Sequence, residues 1–416
     1  MRSWASPPVS TAARDRLGVA PPLSLYDART DGLEPTKPGG EARLYVCGIT
    51  PYDATHLGHA ATYLAFDLAI RAWREAGQEV RYVQNVTDVD DPLLERATTT
   101  GQDWMALAER ETEMFRQDMA ALDMIAPDVF AGAVESIPHI VDLIERLHEQ
   151  GAVYAVEGDL YFSVKADPAF GSVSGLSESD MLSRFAEHGG DPERPGKRDP
   201  LDCLLWQQHR DGEPAWETEL GTGRPGWHIE CAAIARHHLG SGFDIQGGGS
   251  DLLFPHHEMS ASEAQVAYPD DIYARGYAHA GMVGYQGHKM SKSRGNLVLV
   301  SRLRADGVDP RAIRLSLLAH HYRESWEWTD ETLTVGEKRL DSWVDAVARG
   351  GVDATAVAAD IRGMLSEDLN APAALDAVDA WALDDGEVVD GSAELVTDVV
   401  EASLGIRLMS DHSNGR

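Results

Sequence analysis

The chain has 416 residues, of which 43% are hydrophobic and 25% charged, enough for two or three domains with a sizeable buried core. Its 36 basic residues are outnumbered by 68 acidic ones, and the formal charge of −32 is unlike that of proteins that grip a nucleic-acid backbone through a basic face, although such a charge also serves solubility alone. No run approaches the roughly 18 apolar residues of a membrane span, and Pro, Arg and Asp interrupt the first residues, so we predict neither membrane contact nor a signal peptide. Only three cysteines occur, which does not favour a disulfide framework. We therefore predict a cytoplasmic protein.

The first predicted elements form a strand–helix–strand unit. A short apolar strand at 44–46 ends in Cys47 and Gly48, and a loop follows it. Apolar residues at helical spacing predict a helix over 57–74, and β-branched and aromatic residues predict a second strand over 80–86. The two strands of such a unit are parallel, and its ligand site lies beyond their carboxyl ends.

The remaining elements continue this pattern. Helices are predicted at 104–122 and 136–150, and a helix followed by a strand at 227–245. A last core strand is predicted at 278–283, and the chain is expected to be helical from 310 onward.

The predicted fold class is therefore α/β, with two regions. Residues 1–310 are expected to form a Rossmann-like nucleotide-binding domain around a parallel sheet, with a connective subdomain inserted at about 125–205. Residues 311–416 are expected to form a short helical C-terminal region. From residue 331 onward this region is acidic, with 18 acidic and 6 basic side chains, a net charge of −12.

Two motifs indicate chemistry on a nucleotide. HLGH, at 56–59, lies where the loop after the first strand turns into a helix, and KMSKS, at 289–293, follows the last predicted core strand. A helix N-terminus offers free N–H groups and a positive dipole end to phosphate, imidazoles add donors, and lysines supply charge during transfer at phosphorus. Either motif alone is also compatible with an ordinary helix start or a solvated loop. Together, in this order, they predict the catalytic residues His56, His59, Lys289 and Lys292.

The paired motifs resemble the two signatures of class I aminoacyl-tRNA synthetases, and the sequence around them is similar to that of the cysteinyl-tRNA synthetases in particular. The strings that carry this resemblance are YVCGITPYD at 45–53, NVTDVDD at 85–91, GWHIEC at 226–231 and FDIQGGGSDLLFPHHE at 243–258. The resemblance covers roughly residues 40–330. It implies an enzyme that activates L-cysteine with Mg-ATP as cysteinyl-adenylate.

Within that group the chain resembles the ligases of mycothiol biosynthesis, which join L-cysteine to the amine of glucosaminyl-inositol, 1D-myo-inositol 2-amino-2-deoxy-alpha-D-glucopyranoside. Three stretches carry this likeness: MRSW at 1–4, CGITPYDATHLGH at 47–59 and EHGGDP at 187–192. The last of these has His188 where the ligases usually have arginine. The resemblance therefore implies L-cysteine, ATP and glucosaminyl-inositol as partners of a monomer that uses no tRNA.

The resemblance also implies a zinc site formed by Cys47, Cys231 and His256. Their spacing alone would not predict one, because two buried free cysteines and an ordinary histidine fit the sequence as well. The synthetases have a fourth ligand, a glutamate, where this chain has Ser260, so three protein ligands and one open position are expected. Zinc at such a site favours a thiolate over the hydroxyl of serine, and would thereby select cysteine.

Further positions match those that surround the cysteinyl-adenylate in the family. They are Cys47, Gly48, Ile49, Thr50, Thr62, Asn85, Val86, Thr87, Trp227, Gly249, Ser250, Asp251 and Val283. Asp251 suits the α-ammonium group of cysteine, while Gly249 and Val283 suit backbone contacts to the nucleoside. An ordinary turn aspartate and an ordinary strand valine remain alternatives for Asp251 and Val283.

The predicted function is thus an AMP-forming, ATP-dependent ligase that joins cysteine to an amino sugar. The leading alternative is a cysteinyl-tRNA synthetase, which should carry a larger and more basic C-terminal region for tRNA than the roughly 85 residues that follow Glu331 here. A catalytically inactive paralogue is a further alternative, and the intact HLGH and KMSKS motifs argue against it.

Overall fold

A computed structural model describes residues 1–52, 54–290 and 295–409, without the side chain of Lys289. The strands are β1 (Ser24–Asp27), β2 (Gly32–Pro35), β3 (Glu41–Ile49), β4 (Glu79–Val86), β5 (Val129–Gly132), β6 (Val153–Val156), β7 (Asp159–Phe162), β8 (Cys203–Gln208), β9 (Gly223–Pro225), β10 (Phe243–Gly249), β11 (Ala274–Ala280), β12 (Val283–Tyr285), β13 (His288–Lys289) and β14 (Trp326–Trp328). The helices are α1 (Ala12–Leu17), α2 (Leu57–Glu75), α3 (Asp91–Thr100), α4 (Trp104–Ala121), α5 (Ile137–Glu149), α6 (Glu178–Glu187), α7 (Trp227–Leu239), α8 (Glu258–Ala267), α9 (Val300–Ala305), α10 (Pro310–Leu318), α11 (Asp330–Arg349), α12 (Thr355–Ser366), α13 (Ala371–Leu383) and α14 (Ser392–Leu404).

A five-stranded parallel sheet with the order β11-β10-β3-β4-β5 forms the centre of the fold. The chain first moves outward from β3 to β4 and β5, and then returns to the other side of β3 with β10. Loops diverge where the order reverses, between β3 and β10, and such switch points hold the ligands of doubly wound sheets. This arrangement confirms the predicted α/β fold class and places the first motif, after β3, at the switch point.

The edges of the sheet differ from the prediction at two places. The sequence pattern did not reveal β5, a strand of four residues that pairs with β4. The strand predicted at 278–283 is two strands, because β11 ends at Ala280 and β12 begins at Val283 in a different sheet, paired with β14. The break lies at Gly281, whose N–H donates to the carbonyl of Tyr322 and whose Cα lies too close to Glu324 for a side chain.

A second, antiparallel sheet of β6, β7, β8 and β9 lies between β5 and α7 in sequence. The helix α6 and the stretch 188–200 lie between β7 and β8 in the chain. These elements fall largely within the segment predicted as an insertion. The boundary between residues 310 and 311 stays a prediction.

The C-terminal helices share a core with the central sheet, and a buried ion network ties the two regions together. Asp67 of α2 accepts hydrogen bonds from Arg71, at 2.7 Å, and from Arg314 of α10. The same two arginines donate to the carbonyls of Ala402 and Leu404, at the end of α14. These arginines hold the pKa of Asp67 below its ordinary value although burial opposes this, so the network stays charged.

Among the helices of the described residues, none combines the length and apolar character needed to cross a lipid bilayer.

Candidate active site

A cavity of about 770 Å³ opens beyond the carboxyl ends of β3 and β10, at the switch point. One side, which we call the sheet wall, is lined by Cys47, Gly48, Ile49, Thr50, Tyr52, His56, Gly58, His59, Thr62, Tyr63, Gly249, Asp251, Leu252, Gly281, Met282, Val283, Met290 and Leu297. The other side, which we call the insert wall, is lined by Tyr161, Phe185, His188, Gly189, Gly190, Asp191, Arg194, Cys203, Leu204, Gln207 and Arg210. The remaining lining residues are Asp90, Asp91, Pro92, Arg224, Pro225, Gly226, Trp227 and His228.

The first motif places two imidazoles on the sheet wall. His56 is the N-cap of α2, and its Nδ1 accepts from the backbone N–H groups of Gly58, at 3.1 Å, and His59, at 3.4 Å. The rings of His56 and His59 are stacked, with centroids 3.9 Å apart. Because Nδ1 of His56 is an acceptor, the neutral ring carries its proton on Nε2 and can donate from that atom.

This geometry changes the expected source of donors. The N–H groups of Gly58 and His59 are occupied by His56, and that of Leu57 donates to the carbonyl of Val298 at 2.9 Å. The free first-turn N–H groups that the sequence analysis expected at this helix end are therefore not available in this conformation. At the start of α2 the imidazoles of His56 and His59 are side-chain groups that can donate to an anion.

The second motif reaches the same cavity through its own Met290 and through Leu297, which follows it. Residues 298–300 run antiparallel to residues 55–57, and the N–H of Val300 donates to the carbonyl of Thr55 at 3.1 Å. Lys292 lies outside the described residues, and of Lys289 only the backbone, in β13, is described. The two motifs are therefore brought together by the backbone that follows the lysines.

The three predicted metal ligands form one buried cluster. The ligand atoms of Cys47, Cys231 and His256 all lie within 4.8 Å of one another. They come from the end of β3, from α7 and from the segment before α8, which are separated by up to 209 residues of sequence. Nε2 of His256 has no hydrogen-bond partner among residues 1–52, 54–290 and 295–409. Two sulfurs and one imidazole, whose buried Nε2 is without a partner in the described residues, are a donor set that fits a metal ion.

The surroundings of the cluster orient its ligands. Nδ1 of His256 lies 3.0 Å from Nδ1 of His228, and Trp227 stacks on His256 with centroids 4.3 Å apart. Burial lowers the pKa of His256 well below its ordinary value, and burial with the neighbouring His188 lowers that of His228 to about 3. Both rings are therefore neutral, which is the form that binds metals.

Ser260, at the position of the synthetases' fourth ligand, does not complete the cluster. Its hydroxyl donates to the backbone carbonyl of His228 at 3.0 Å. A different histidine approaches the cluster instead, since Nε2 of His257 lies 3.3 Å from Sγ of Cys47. His257 is held in turn by His279, with 2.8 Å between ring nitrogens, and neither histidine was predicted from the sequence.

Most of the predicted adenylate-binding positions line the cavity. These are Cys47, Gly48, Ile49, Thr50, Thr62, Trp227, Gly249, Asp251 and Val283. Four predicted residues, Asn85, Val86, Thr87 and Ser250, are absent from the lining of the cavity in the described part of the chain. Asn85, Val86 and Thr87 are buried instead, at the carboxyl end of β4.

Asn85 supports the sheet wall from behind. Its Oδ1 accepts from the N–H of Gly48 at 2.7 Å and from the hydroxyl of Tyr45 at 3.1 Å. A side chain at Gly48 would begin 1.6 Å from the carbonyl oxygen of Asn85, so only glycine allows this approach. The amide Nδ2 of Asn85 and the hydroxyl of Thr87 both donate to Oε1 of Glu230, at 2.7 and 2.9 Å. Burial raises the pKa of Glu230 to about 8 although these two hydrogen bonds oppose it.

The insert wall was largely missed from the sequence, apart from the stretch 187–192. Its polar side chains form a network in which Arg194 pairs with Asp159 at 2.8 Å and donates to the hydroxyl of Tyr161 at 2.6 Å. That hydroxyl donates in turn to Asp191. These contacts join residues that lie 30 or more positions apart, and no local pattern in the sequence announces them.

Comparison with known proteins agrees with the geometry. The family described as tRNA synthetases class I (C) catalytic domain matches residues 34–338. The solved structure of Mycobacterium tuberculosis methionyl-tRNA synthetase in complex with methionyl-adenylate superposes with a TM-score of 0.60, at 17% identity, over 87% of this chain and 89% of that one. This likeness shows the fold.

Two relatives are similar over nearly the whole chain. A protein of Thermomonospora curvata is 60% identical over 98% of this chain and 100% of its own length, and one of Kribbella flavida is 58% identical over the same shares. Both are named L-cysteine:1D-myo-inositol 2-amino-2-deoxy-alpha-D-glucopyranoside ligase. The chain therefore belongs to this ligase family, within the class I synthetase group whose catalytic domain it shares.

Proposed function

We propose that the chain catalyses ATP-dependent ligation of L-cysteine to the amine of 1D-myo-inositol 2-amino-2-deoxy-alpha-D-glucopyranoside, with release of AMP and pyrophosphate. The observation that carries this proposal is one cavity that joins the start of α2, with His56 and His59, to the sulfur-rich cluster at Cys47. Such a cavity can hold a nucleotide and a thiol side by side. The names of the full-length relatives supply the acceptor.

In the first step the carboxylate of cysteine attacks the α-phosphorus of Mg-ATP, and pyrophosphate leaves. His56 and His59 would donate hydrogen bonds to phosphate oxygens, and Lys289 and Lys292 would neutralise the charge that develops there. These roles require position and charge only, so no covalent bond to the protein is needed. The adenylate would contact eight of the predicted residues: Gly48, Ile49, Thr50, Thr62, Trp227, Gly249, Asp251 and Val283. Asn85, Val86 and Thr87 would stabilise the shape of the sheet wall. Ser250 would stabilise the turn beside Asp251.

Cys47, Cys231 and His256 would hold one zinc ion. When bound, zinc supplies a Lewis acid that prefers the thiolate of cysteine to the hydroxyl of serine. The protein's own contribution is to keep both imidazoles of the His228–His256 pair neutral and to fix their rings against Trp227. Asp251, on the same wall, would pair with the α-ammonium group of cysteine and so orient its carboxylate toward the phosphates.

In the second step the neutral amine of the acceptor attacks the carbonyl carbon of the mixed anhydride. The new C–N bond replaces the C–O bond to the phosphate, AMP leaves, and the nitrogen gives up one proton. The adenylate would stay at the sheet wall during this step, with the acceptor bound in the same cavity.

Cysteine-dependent exchange of pyrophosphate into ATP tests the first step. His56→Ala and Lys289→Ala are each expected to reduce exchange about 100-fold or more, since each removes a group that stabilises transition-state charge. Bound zinc should stay at one per chain by atomic absorption. His148→Ala, on the exposed side of α5, is the matched control and should exchange at the wild-type rate. Unchanged exchange in His56→Ala would refute its catalytic role.

Separate reactions with each candidate acceptor test which molecule receives the cysteinyl group. With ATP and cysteine present, the amino sugar is offered in one reaction and tRNA in another, and mass spectrometry shows which becomes cysteinylated. Transfer to tRNA alone would favour the cysteinyl-tRNA synthetase alternative. The monomeric state, the absence of tRNA binding and the cytoplasmic location stay predictions, which light scattering, filter binding and cell fractionation can check.

A further inference from the structure

The activation chemistry leaves one side of the cavity without a function. The groups proposed to bind ATP and cysteine lie on the sheet wall and at Trp227, and none lies on the insert wall. The insert wall nevertheless presents polar side chains to the same space. Because the reaction has a third substrate, this wall is a part of the cavity that is available for it.

Asp191 is held through both of its carboxylate oxygens. One carboxylate oxygen accepts from Nζ of Lys197 at 2.8 Å, and the other accepts from the hydroxyl of Tyr161. The side chain of Lys197 is only 2% exposed, whereas that of Asp191 is 39% exposed. A carboxylate held in place by buried donors, with part of its surface open, can accept further hydrogen bonds without a cost for ordering it.

The loop that carries Asp191 has a defined shape. Gly189 has a φ of +86°, which favours glycine, and a Cβ on Gly190 would lie 2.5 Å from the ring of Phe185. Nδ1 of His188 lies 2.8 Å from the carbonyl of Arg184, so Nδ1 is the donor and Nε2 of the neutral ring is an acceptor. The loop thus offers acceptors from both of its ends.

The charges of the insert wall fit a polyol better than an anion. Arg194 and Arg210 both pair with the buried Asp159, at 2.8 and 3.4 Å, and Arg194 also lies 3.9 Å from Asp191. Arg194 also lies 3.8 Å from Glu157. The carboxylates of Asp159, Asp191 and Glu157 thus offset the charges of Arg194, Arg210 and Lys197. The wall therefore presents carboxylate and imidazole acceptors beside the half-exposed donors of Arg210, a mixture that suits hydroxyl groups and an amine.

We propose that residues 188–191 form the binding surface for the acceptor, with Asp191 accepting hydrogen bonds from sugar hydroxyls and thereby placing the amine toward the adenylate at the sheet wall. This inference rests on the proposed function and adds the recognition site of its third substrate. Asp191 is a positioning residue, since it would hold the sugar and take no part in bond making.

Asp191→Asn tests the assignment, because asparagine keeps the size and one carbonyl acceptor but loses the charge. The KM for 1D-myo-inositol 2-amino-2-deoxy-alpha-D-glucopyranoside is expected to rise about 10- to 100-fold, the effect of weakening a hydrogen bond to a charged group. Cysteine-dependent pyrophosphate exchange should stay at the wild-type rate. Gly190→Ala, which pushes the loop away from Phe185, should give the same split between the two assays.

Glu193→Gln is the matched control, since it removes the same charge two residues away at an exposed position outside the cavity lining. It should leave both assays unchanged. An unchanged KM in Asp191→Asn overturns the inference, and so does a parallel loss of exchange and transfer in both loop variants, which would show a structural role. If the wild-type chain exchanges pyrophosphate but transfers nothing to the amino sugar, the proposed function itself is wrong and the inference falls with it.

Discussion

The two walls of the cavity hold their polar groups by different means. On the sheet wall, backbone geometry does so: parallel strands end at one edge, a helix begins there, and residues 55–57 pair with 298–300. On the insert wall, the positions depend on side-chain pairs such as Asp191–Lys197 and Arg194–Asp159. A backbone-built wall resists most single substitutions, whereas one built from side chains can be changed locally. Activation and acceptor recognition should therefore be separable by mutation.

A buried carboxyl group lies behind each wall, and the two carboxyl groups differ in the number of hydrogen bonds they accept. Burial raises the pKa of both Glu230 and Glu263 to about 8. Glu230, behind the sheet wall, accepts from Asn85 and Thr87. Glu263, behind the insert wall, accepts only from the thiol of Cys203, at 3.2 Å, and its Oε2 has no partner in the described part of the chain. The carboxyl group behind the sheet wall thus has more of its hydrogen bonds satisfied than the one behind the insert wall.

The largest effect is expected from Asn85→Ala. Asn85 makes hydrogen bonds with Gly48, Tyr45 and Glu230, so removal of its side chain leaves several buried groups without these partners. At roughly 1–3 kcal/mol for each unsatisfied group, we expect a loss of about 3 kcal/mol or more in the free energy of unfolding, measured with urea. Pyrophosphate exchange should fall as well, because Gly48 lines the cavity.

Thr87→Val is the comparison for that variant. At nearly constant volume it removes one donor to Glu230 and one acceptor that Nδ2 of Asn85 reaches at 3.2 Å, while Oδ1 of Asn85 keeps its contacts. It should cost about 1 kcal/mol. Equal losses in Asn85→Ala and Thr87→Val would contradict the central role given to Asn85.

An intermediate, pH-dependent effect is expected from Glu263→Gln. Between the ordinary pKa of 4.5 and the folded value of about 8, the unfolded chain ionises Glu263 while the folded chain keeps it protonated. The unfolded state then binds fewer protons, so this residue lowers the wild-type free energy of unfolding as the pH rises through that window. Glutamine lacks this term. The free energy of unfolding of the variant should equal that of the wild type near pH 5 and exceed it by roughly 2 kcal/mol or more at pH 8. Parallel curves of this free energy against pH for the two proteins would contradict the prediction.

The smallest effect is expected from Tyr161→Phe, which sharpens the contrast between the walls. It removes one hydroxyl that joins Asp191 to Arg194 and leaves the ring in place. Loss of one such hydrogen bond should raise the KM for the amino sugar about 5-fold, with exchange unchanged. A fall in exchange would mean that the insert wall also shapes the activation site.

The sequence predicted where the elements of the sheet wall lie because these features are local, while the roles of the site residues stay predictions. The spacing of the apolar residues in 57–74 fixes where α2 begins, and with it the place of His56 and His59. The two lysines are a different case, since Lys292 lies outside the described residues and their roles stay predictions. Asn85 and Thr87 were correctly placed at a strand end. That their side chains turn toward Glu230 and away from the cavity depends on α7, which packs there from 140 residues later.

The rest depends on contacts between distant parts of the chain. Cys47, Cys231 and His256 meet only when β3, α7 and the segment before α8 pack together, so resemblance to known enzymes predicted the cluster where spacing could not. The insert wall has neither a periodic pattern nor a closely spaced motif. Lys197, Tyr161 and Asp191 converge through the antiparallel sheet, and the sequence gives no sign of that convergence.

The Asp67 network has a practical consequence for anyone who wishes to shorten this enzyme. A fragment that stops before α11 would keep Asp67, Arg71 and Arg314 but lose the carbonyls of α14 that accept from both arginines. It would also uncover the apolar surface that the last four helices bury. The sequence match to the synthetase catalytic domain ends at residue 338. The acidic C-terminal helices beyond it nevertheless cover part of the hydrophobic core. Fusion partners and affinity tags are therefore better attached at the termini than substituted for these helices.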